Sequence, residues 1–240
     1  MQPFFEIILP TCNRPDLCRR AVKSVLSQTH RNFRLWVLDS NSSEENRKKL
    51  ATFWENEVEN DPRALLLWLV PPKGVVPYSW MTNYVYKELK QDAWVSYLTD
   101  DAYYPPDRLE IFAELIGRLP NAKVLYGEQI RINCGSGRFP SADGVFRLHS
   151  KSVQEPELLE HNWIDHNAVV HKVDLLLGEE KPWVEDLQHI KVGDWRCWQK
   201  LIKKAQFFFT SRVVAIDEWW PNGLSENNAL QLQEKFGVSQ

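Results

Sequence analysis

Short apolar runs alternate with longer amphipathic stretches along the first half of the chain. Phe4-Phe5-Glu6-Ile7-Ile8-Leu9 has the length and composition of a strand and is stopped by Pro10. From Pro15 onward, Leu17, Ala21, Val22, Val25 and Leu26 fall at helical spacing, with the proline near the first helical position, where its missing N–H is not needed. Leu35-Trp36-Val37-Leu38 predicts a second strand and Asp39-Ser40-Asn41-Ser42 a turn. Ser42 and Glu45 then have capping-box spacing ahead of a helix through Leu50, Phe53 and Trp54. Ala64 to Val70, Tyr78 to Leu89 and Ala93 to Leu98 repeat the pattern as strand, helix and strand. The last strand ends at Thr99-Asp100-Asp101, and Pro105-Pro106-Asp107 opens a helix through Leu109, Phe112, Leu115 and Ile116.

This alternation predicts an α/β fold with a mostly parallel central sheet and helices on both faces. Ligands of such sheets bind beyond the carboxyl ends of the strands. The second half has a different character. Val124 to Ile132 and Gly144 to Leu148 read as strands around the loop Gly135-Ser136-Gly137, Trp163 to His171 is aromatic and polar, and Gly193 to Lys204 is helical. A polar tail from Asn222 to Gln240 suggests a loose terminal helix. No Ser/Gly/Pro stretch is long enough to divide the chain.

Composition narrows the function classes. The 240 residues are 43% hydrophobic, enough for a substantial core, and 29 Lys and Arg against 32 Asp and Glu leave a net charge of −3. That balance argues against a nucleic-acid partner. Arg19-Arg20-Lys23 reads as a solvated helix face, and no cluster of Lys and Arg argues for an anionic membrane surface, although peripheral contact stays open. Cys12, Cys18, Cys134 and Cys197 include no C-x-x-C pair and read as packed thiols in a reducing compartment. No window approaches the roughly 18 apolar residues of a membrane span. The expectation is a soluble, cytoplasmic protein without a transmembrane segment. Eleven tryptophans, many in polar stretches, suit stacking on sugars or bases as well as ordinary packing.

The loop after the first strand, Pro10-Thr11-Cys12-Asn13-Arg14-Pro15, contains no glycine. A dinucleotide fingerprint and a P-loop are therefore both absent, and a nucleotide bound here needs the other route to its phosphates, a divalent cation on carboxylates. Thr99-Asp100-Asp101 is the candidate. Adjacent residues at a strand end point to opposite faces, so one carboxylate can reach a metal while the other reaches a sugar hydroxyl. The same pair also suits a simple strand-ending turn.

The run Ile8-Leu9-Pro10-Thr11-Cys12-Asn13-Arg14-Pro15, followed by Ala21-Val22-Lys23-Ser24-Val25-Leu26-Ser27-Gln28-Thr29, resembles the opening of inverting family 2 glycosyltransferases of the GT-A fold. Leu38-Asp39-Ser40-Asn41-Ser42 is similar to the family's second-strand acidic motif, and Thr99 to Leu109 to its D-x-D region. Ile164-Asp165-His166-Asn167-Ala168-Val169-Val170-His171 ahead of Val192-Gly193-Asp194-Trp195-Arg196 resembles the spore-coat polysaccharide type within that family. The likeness runs over about residues 5 to 205.

The resemblance implies one GT-A domain over 1–240. Its nucleotide-sugar half would be about 1–104, its smaller mixed or antiparallel acceptor half about 105–221, and its tail 222–240. It implies a nucleotide-diphosphate sugar as donor, Mn²⁺ or Mg²⁺ as cofactor, and a glycan or lipid-linked saccharide as acceptor. Pro10, Thr11, Asp39 and Ser40 would line the base and ribose pocket, Asn13 and Arg14 support the loop, and Asn83 lie on the helix bordering the donor. Thr99 begins the acidic motif, Asp100 would contact ribose or donor sugar, and Asp101 would ligate the metal. His166 and Asp165 lie on the donor-sugar and acceptor side, and Asp194 stands where the family places its general base. For His166 a structural role and a phosphate contact stay equally open, and Glu185 and Asp186 compete with Asp194. Ser40 and Cys12 replace an acid and an aromatic that relatives use on the base, leaving uracil, thymine or guanine open. A non-catalytic nucleotide-sugar binding protein of the same fold is the alternative. A sugar-phosphate nucleotidyltransferase would need a glycine-rich, basic first loop, which is absent.

Overall fold

Every residue of β1 (Phe5–Thr11) is buried, because β2 (Phe33–Ser40) and β4 (Trp94–Tyr97) flank it in parallel and helices cover both faces. The computed structural model describes residues 2–133, 145–148, 155–190 and 192–219. Between these strands run α1 (Pro15–Leu26), α2 (Glu44–Glu57), the edge strand β3 (Ala64–Leu69) and α3 (Pro77–Tyr86). Next come β5 (Ala102–Tyr103), α4 (Arg108–Arg118), β6 (Val124–Asn133), β7 (Val145–Leu148), α5 (Glu155–Glu160), β8 (Val169–Lys172), α6 (Gly193–Leu201) and β9 (Phe207–Trp219). The sheet order is β3-β2-β1-β4-β8-β6-β9-β5, with β7 on β6. Pairing is parallel from β3 to β4 and between β6 and β9, and antiparallel elsewhere.

Alternation along the strands divides the core. Ile7, Leu9, Leu35 and Val37 face α1 and α4, meeting Val22, Val25 and Phe112. Ile8, Trp36, Leu38 and Tyr97 face the other way, onto Met81, Val85, Trp183 and Trp198. Each fully buried Val, Leu, Ile or Phe contributes roughly 1.5–3 kcal/mol, so these two layers dominate the stability. Trp183 and Trp198 lie inside the second layer and are therefore packing residues. Trp163 is exposed.

The structure corrects one reading and adds to the others. The cap of α2 is Ser43, whose hydroxyl accepts from the Asn46 N–H, because the Ser42 hydroxyl donates to Asp39 and accepts from the Asn13 N–H. The thirteen-residue β9 and the short β5 and α5 escape the hydrophobic pattern. In β9 the polar Thr210-Ser211-Arg212 interrupts two apolar runs beside a register shift at Gly127 and Glu128. Gly127 is required there, since a Cβ would sit 2.8 Å from the Arg212 carbonyl oxygen. Trp163 to His171 resolves into a 3-10 turn, His166–Ala168, capped by Asp165, and then β8. The Gly135-Ser136-Gly137 loop, Cys134 and the tail 222–240 lie outside the described residues.

Candidate active site

The carboxyl ends of β1 and β4 lie side by side, and the loops leaving them meet. Thr11, the last residue of β1, donates its hydroxyl to Asp100 Oδ2 at 2.8 Å. Arg14 donates from one nitrogen, Nη1, to both Asp100 Oδ1 and Asp101 Oδ2, each at 3.0 Å. The two adjacent aspartates thus converge on a single positive charge. Asp100 is buried while Asp101 keeps more of its side chain open. Burial raises the Asp100 pKa, opposed by Arg14 and aided by the Asp101 charge. The backbone of Asp101 is fixed by its carbonyl, which accepts from Arg20 Nη2 and the Glu218 N–H.

Asp194 comes to the same place from α6. It occupies the first turn of that helix, where a carboxylate is favoured by the free N–H groups and the helix dipole. Its Oδ1 accepts from the Trp195 N–H at 2.7 Å and from Asn162 Nδ2 at 3.0 Å. Its Oδ2 lies 3.5 Å from His166 Nδ1, which is also 3.9 Å from Asp165 Oδ1. These distances are ion-pair rather than tight hydrogen-bond contacts, and neither ring nitrogen of His166 has a close hydrogen-bond partner among the described residues. Burial disfavours the imidazolium, but Asp165, Asp194 and Asp101 overcome it and raise the His166 pKa to about 9. The ring packs between Tyr78 and Trp183, at 5.3 and 6.1 Å between centroids.

Two further residues belong here that the sequence reading missed. Asp217 in β9 accepts from Arg131 Nε at 2.9 Å, and Arg131 Nη2 reaches Asp165 Oδ2 at 3.4 Å. Burial together with the Asp165 and Asp101 charges raises the Asp217 pKa, with Arg131 opposing. An acid closing the apolar run Val213-Val214-Ala215-Ile216 was the available signal, hidden because β9 itself was not recognised.

Other predicted residues form a neighbouring layer. Asp39 accepts the Ser42 N–H and hydroxyl, and Asn13, in a left-handed conformation at φ 56°, accepts the Ser43 N–H through Oδ1. Cys12 donates its thiol to the Ser40 carbonyl, and burial followed by Asp39 and Asp100 pushes that thiol up. Pro10 is buried opposite Leu38, and Thr99 is fixed by Asn167, whose Oδ1 accepts its N–H at 2.8 Å. Asn83 stands apart. Its amide grips both the N–H and the carbonyl of Trp183 and also Glu185, so it holds the wall behind His166. Glu185 is further paired with Lys181, and Asp186 caps the turn at Leu187–His189; neither joins the acidic cluster.

Comparison with known proteins accords with this geometry. The profile of glycosyl transferase family 2 matches residues 6–175, from β1 through the acidic motif to β8. The chain belongs to glycosyl transferase family 2. It is 26% identical over 216 residues to Protein CgeD of Bacillus subtilis (strain 168), covering 87% of this chain and 48% of CgeD, so it spans about half the length of that relative. Among solved structures it resembles S. aureus TarS 1-349 in complex with UDP-GlcNAc (TM-score 0.68, 14% identity, 98% of this chain and 66% of that one). It also resembles the mannosyltransferase PcManGT from Pyrobaculum calidifontis in complex with GDP-Man and Mn²⁺ (TM-score 0.58, 15% identity, 100% and 66%). These likenesses establish the GT-A fold. Among the described residues no helix of this family 2 chain is long and apolar enough to cross a membrane, and no three His, Cys, Asp or Glu side chains form a ready metal cluster.

Proposed function

We propose that this family 2 chain is a metal-dependent inverting glycosyltransferase, moving a sugar from a nucleotide-diphosphate donor to a hydroxyl of a glycan or lipid-linked saccharide. The observation that carries the reading is that His166 feels carboxylates from two elements, Asp194 and the acidic motif after β4. Asp194, at the start of α6, lies 3.5 Å from its Nδ1, and the charge of Asp101 also acts on it. The relatives TarS and PcManGT, seen with UDP-GlcNAc and with GDP-Man and Mn²⁺, support the donor class.

Inversion needs a single attack on the anomeric carbon from the side opposite the diphosphate. A carboxylate must take the acceptor's proton as the oxocarbenium-like state forms, and the leaving diphosphate must be stabilised. Asp194 is the proposed base. Its Oδ1 is committed to the Trp195 N–H and Asn162, and among the described residues its Oδ2 meets only the 3.5 Å contact to His166, which leaves that oxygen for the acceptor hydroxyl. The His166 imidazolium steadies the Asp194 carboxylate and contributes positive charge toward the phosphates. Thr11 and Arg14 orient Asp100 for ribose or donor sugar. Pro10, Asn13, Asp39, Ser40, Asn83 and Thr99 shape the surrounding donor pocket.

The residues present fit a divalent ion. Mg²⁺ and Mn²⁺ favour hard oxygen ligands, and at nucleotide sites they rest on one or two carboxylates while phosphates and water complete the shell. Asp101, with its side chain part open beside Arg14, offers one such carboxylate, and the donor's diphosphate would complete the shell. When bound, Mn²⁺ or Mg²⁺ would neutralise charge on the leaving diphosphate.

The test separates two roles. Asp101→Asn is expected to abolish metal-dependent donor binding. Asp194→Asn is expected to leave donor affinity near that of the wild type and to lower transfer by about 10²–10⁴-fold. Calorimetric donor titration and a transfer assay on both variants check this, and identical behaviour of the two would refute the assignment.

A further inference from the structure

The amino ends of β1, β2 and β3 lie at the opposite end of the sheet from Asp100 and Asp101, and a second charged feature is built there. A groove of about 370 Å³ opens among Phe4, Arg31, Phe33, Arg34, Arg63 and Lys90. Its cations are held in place. Glu6, wholly buried in β1, accepts Arg34 Nε at 3.0 Å and Nη2 at 2.7 Å, together with the Trp36 indole N–H and the Lys90 backbone N–H. Asp61 holds Arg63 in the same two-pronged way at 2.9 and 2.6 Å, and Arg31 donates to the carbonyls of Leu26 and Gln28. Aromatic rings complete the support. The Arg63 guanidinium lies 4.5 Å from the Phe33 centroid, and the Lys90 ammonium 3.6 Å from that of Phe4.

Anchoring of this kind removes side-chain freedom in advance, so a ligand finds the donors already ordered. The charge does not balance. Four cations line the groove against the carboxylates of Glu6 and Asp61, and among the described residues neither Arg31 nor Lys90 has an ion-pair partner. Among the described residues, Arg63 Nη1 is buried without a hydrogen-bond partner. Glu88 also acts on Arg34 from outside the lining, so a net positive charge remains, and with the spare guanidinium donor it suits a multi-oxygen anion better than a single carboxylate.

We propose that this groove binds a phosphate-bearing anion, on Arg63, Arg34, Arg31 and Lys90, at a site separate from the donor pocket. The test titrates inorganic pyrophosphate into the full chain with chelator present, by calorimetry and by the NMR signals of the arginine Nε–H groups. The Arg34 and Arg63 signals are expected to shift. The double variant Arg31→Glu, Lys90→Glu, at two exposed positions, is expected to weaken binding at least about tenfold, whereas Asp101→Asn leaves it unchanged. No shift, or binding that survives the charge reversal, overturns the proposal. Sedimentation with phosphatidylglycerol and with phosphatidylcholine vesicles then identifies the source. Retention on phosphatidylglycerol alone, lost in the double variant, marks a lipid headgroup, and pyrophosphate binding without retention marks a soluble phosphate.

Discussion

The two ends of the parallel sheet carry opposite charge and treat it differently. At the carboxyl end, Asp100, Asp101, Asp165, Asp194 and Asp217 share Arg14, Arg131 and His166, and burial plus mutual repulsion raise the pKa of Asp100 and Asp217. At the amino end, Glu6 and Asp61 each bind an arginine with two parallel hydrogen bonds. Carboxylates at the amino end are each locked to an arginine of their own, whereas Asp100 and Asp101 share a single nitrogen of Arg14. The proposed metal and diphosphate would suit that arrangement, because an arriving cation relieves the repulsion between adjacent Asp100 and Asp101.

The largest expected effect breaks the amino end. Glu6→Ala leaves Arg34, the Trp36 indole and the Lys90 N–H without their shared acceptor, and is expected to cost about 3–5 kcal/mol in urea unfolding. A loss below about 1 kcal/mol would show that Glu6 is not the fastener this contrast requires. A smaller effect sharpens the carboxyl end. The folded pKa of His166, about 9, lies above its unfolded value near 6.5. Its stabilising contribution is therefore complete below pH 6.5 and lost as pH rises through 9. His166→Gln is expected to flatten the fall in melting temperature over that window, and an unchanged slope would remove the ion pair with Asp165 and Asp194 from the account. The smallest effect has the opposite sign to the first. Asp217→Asn removes a carboxylate whose pKa is raised in the fold, keeps an acceptor for Arg131, and is expected to stabilise the free protein at pH 8 by about 1 kcal/mol.

Much of the first half was legible in the chain. The strand at Ile7 to Leu9, the proline-opened helix at Pro15 and the acidic motif after Leu98 follow from local pattern, because parallel buried strands read as plain apolar runs. The second half was less legible. β9 pairs with β6 across more than eighty residues and shifts register at Gly127, so its partner, not its own periodicity, makes it a strand. Asp217 and Arg131 were lost with it. The residue types at Thr11, Arg14, Asp100, Asp101, His166 and Asp194 were named in advance, but their convergence depends on the turn at Asp165 and the start of α6, which only tertiary packing defines. Ser42 shows the same limit at short range. Its spacing fits a cap, yet Asp39 and Asn13 claim its hydroxyl first. The basic groove left no trace in the net charge of −3, because its cations are scattered along the chain, at Arg31, at Arg34 in β2, at Arg63 and at Lys90.

The central claim is that the acidic end of the sheet is completed by a metal ion and a nucleoside diphosphate together. The most direct measurement is the unfolding free energy of the protein with UDP, GDP, dTDP and CDP, each with Mn²⁺ and with chelator. The account predicts a rise for at least one nucleotide only when Mn²⁺ is present, of roughly 2.7 kcal/mol at a hundred times its dissociation constant. No rise with any nucleotide, or an equal rise with the metal chelated, would contradict it.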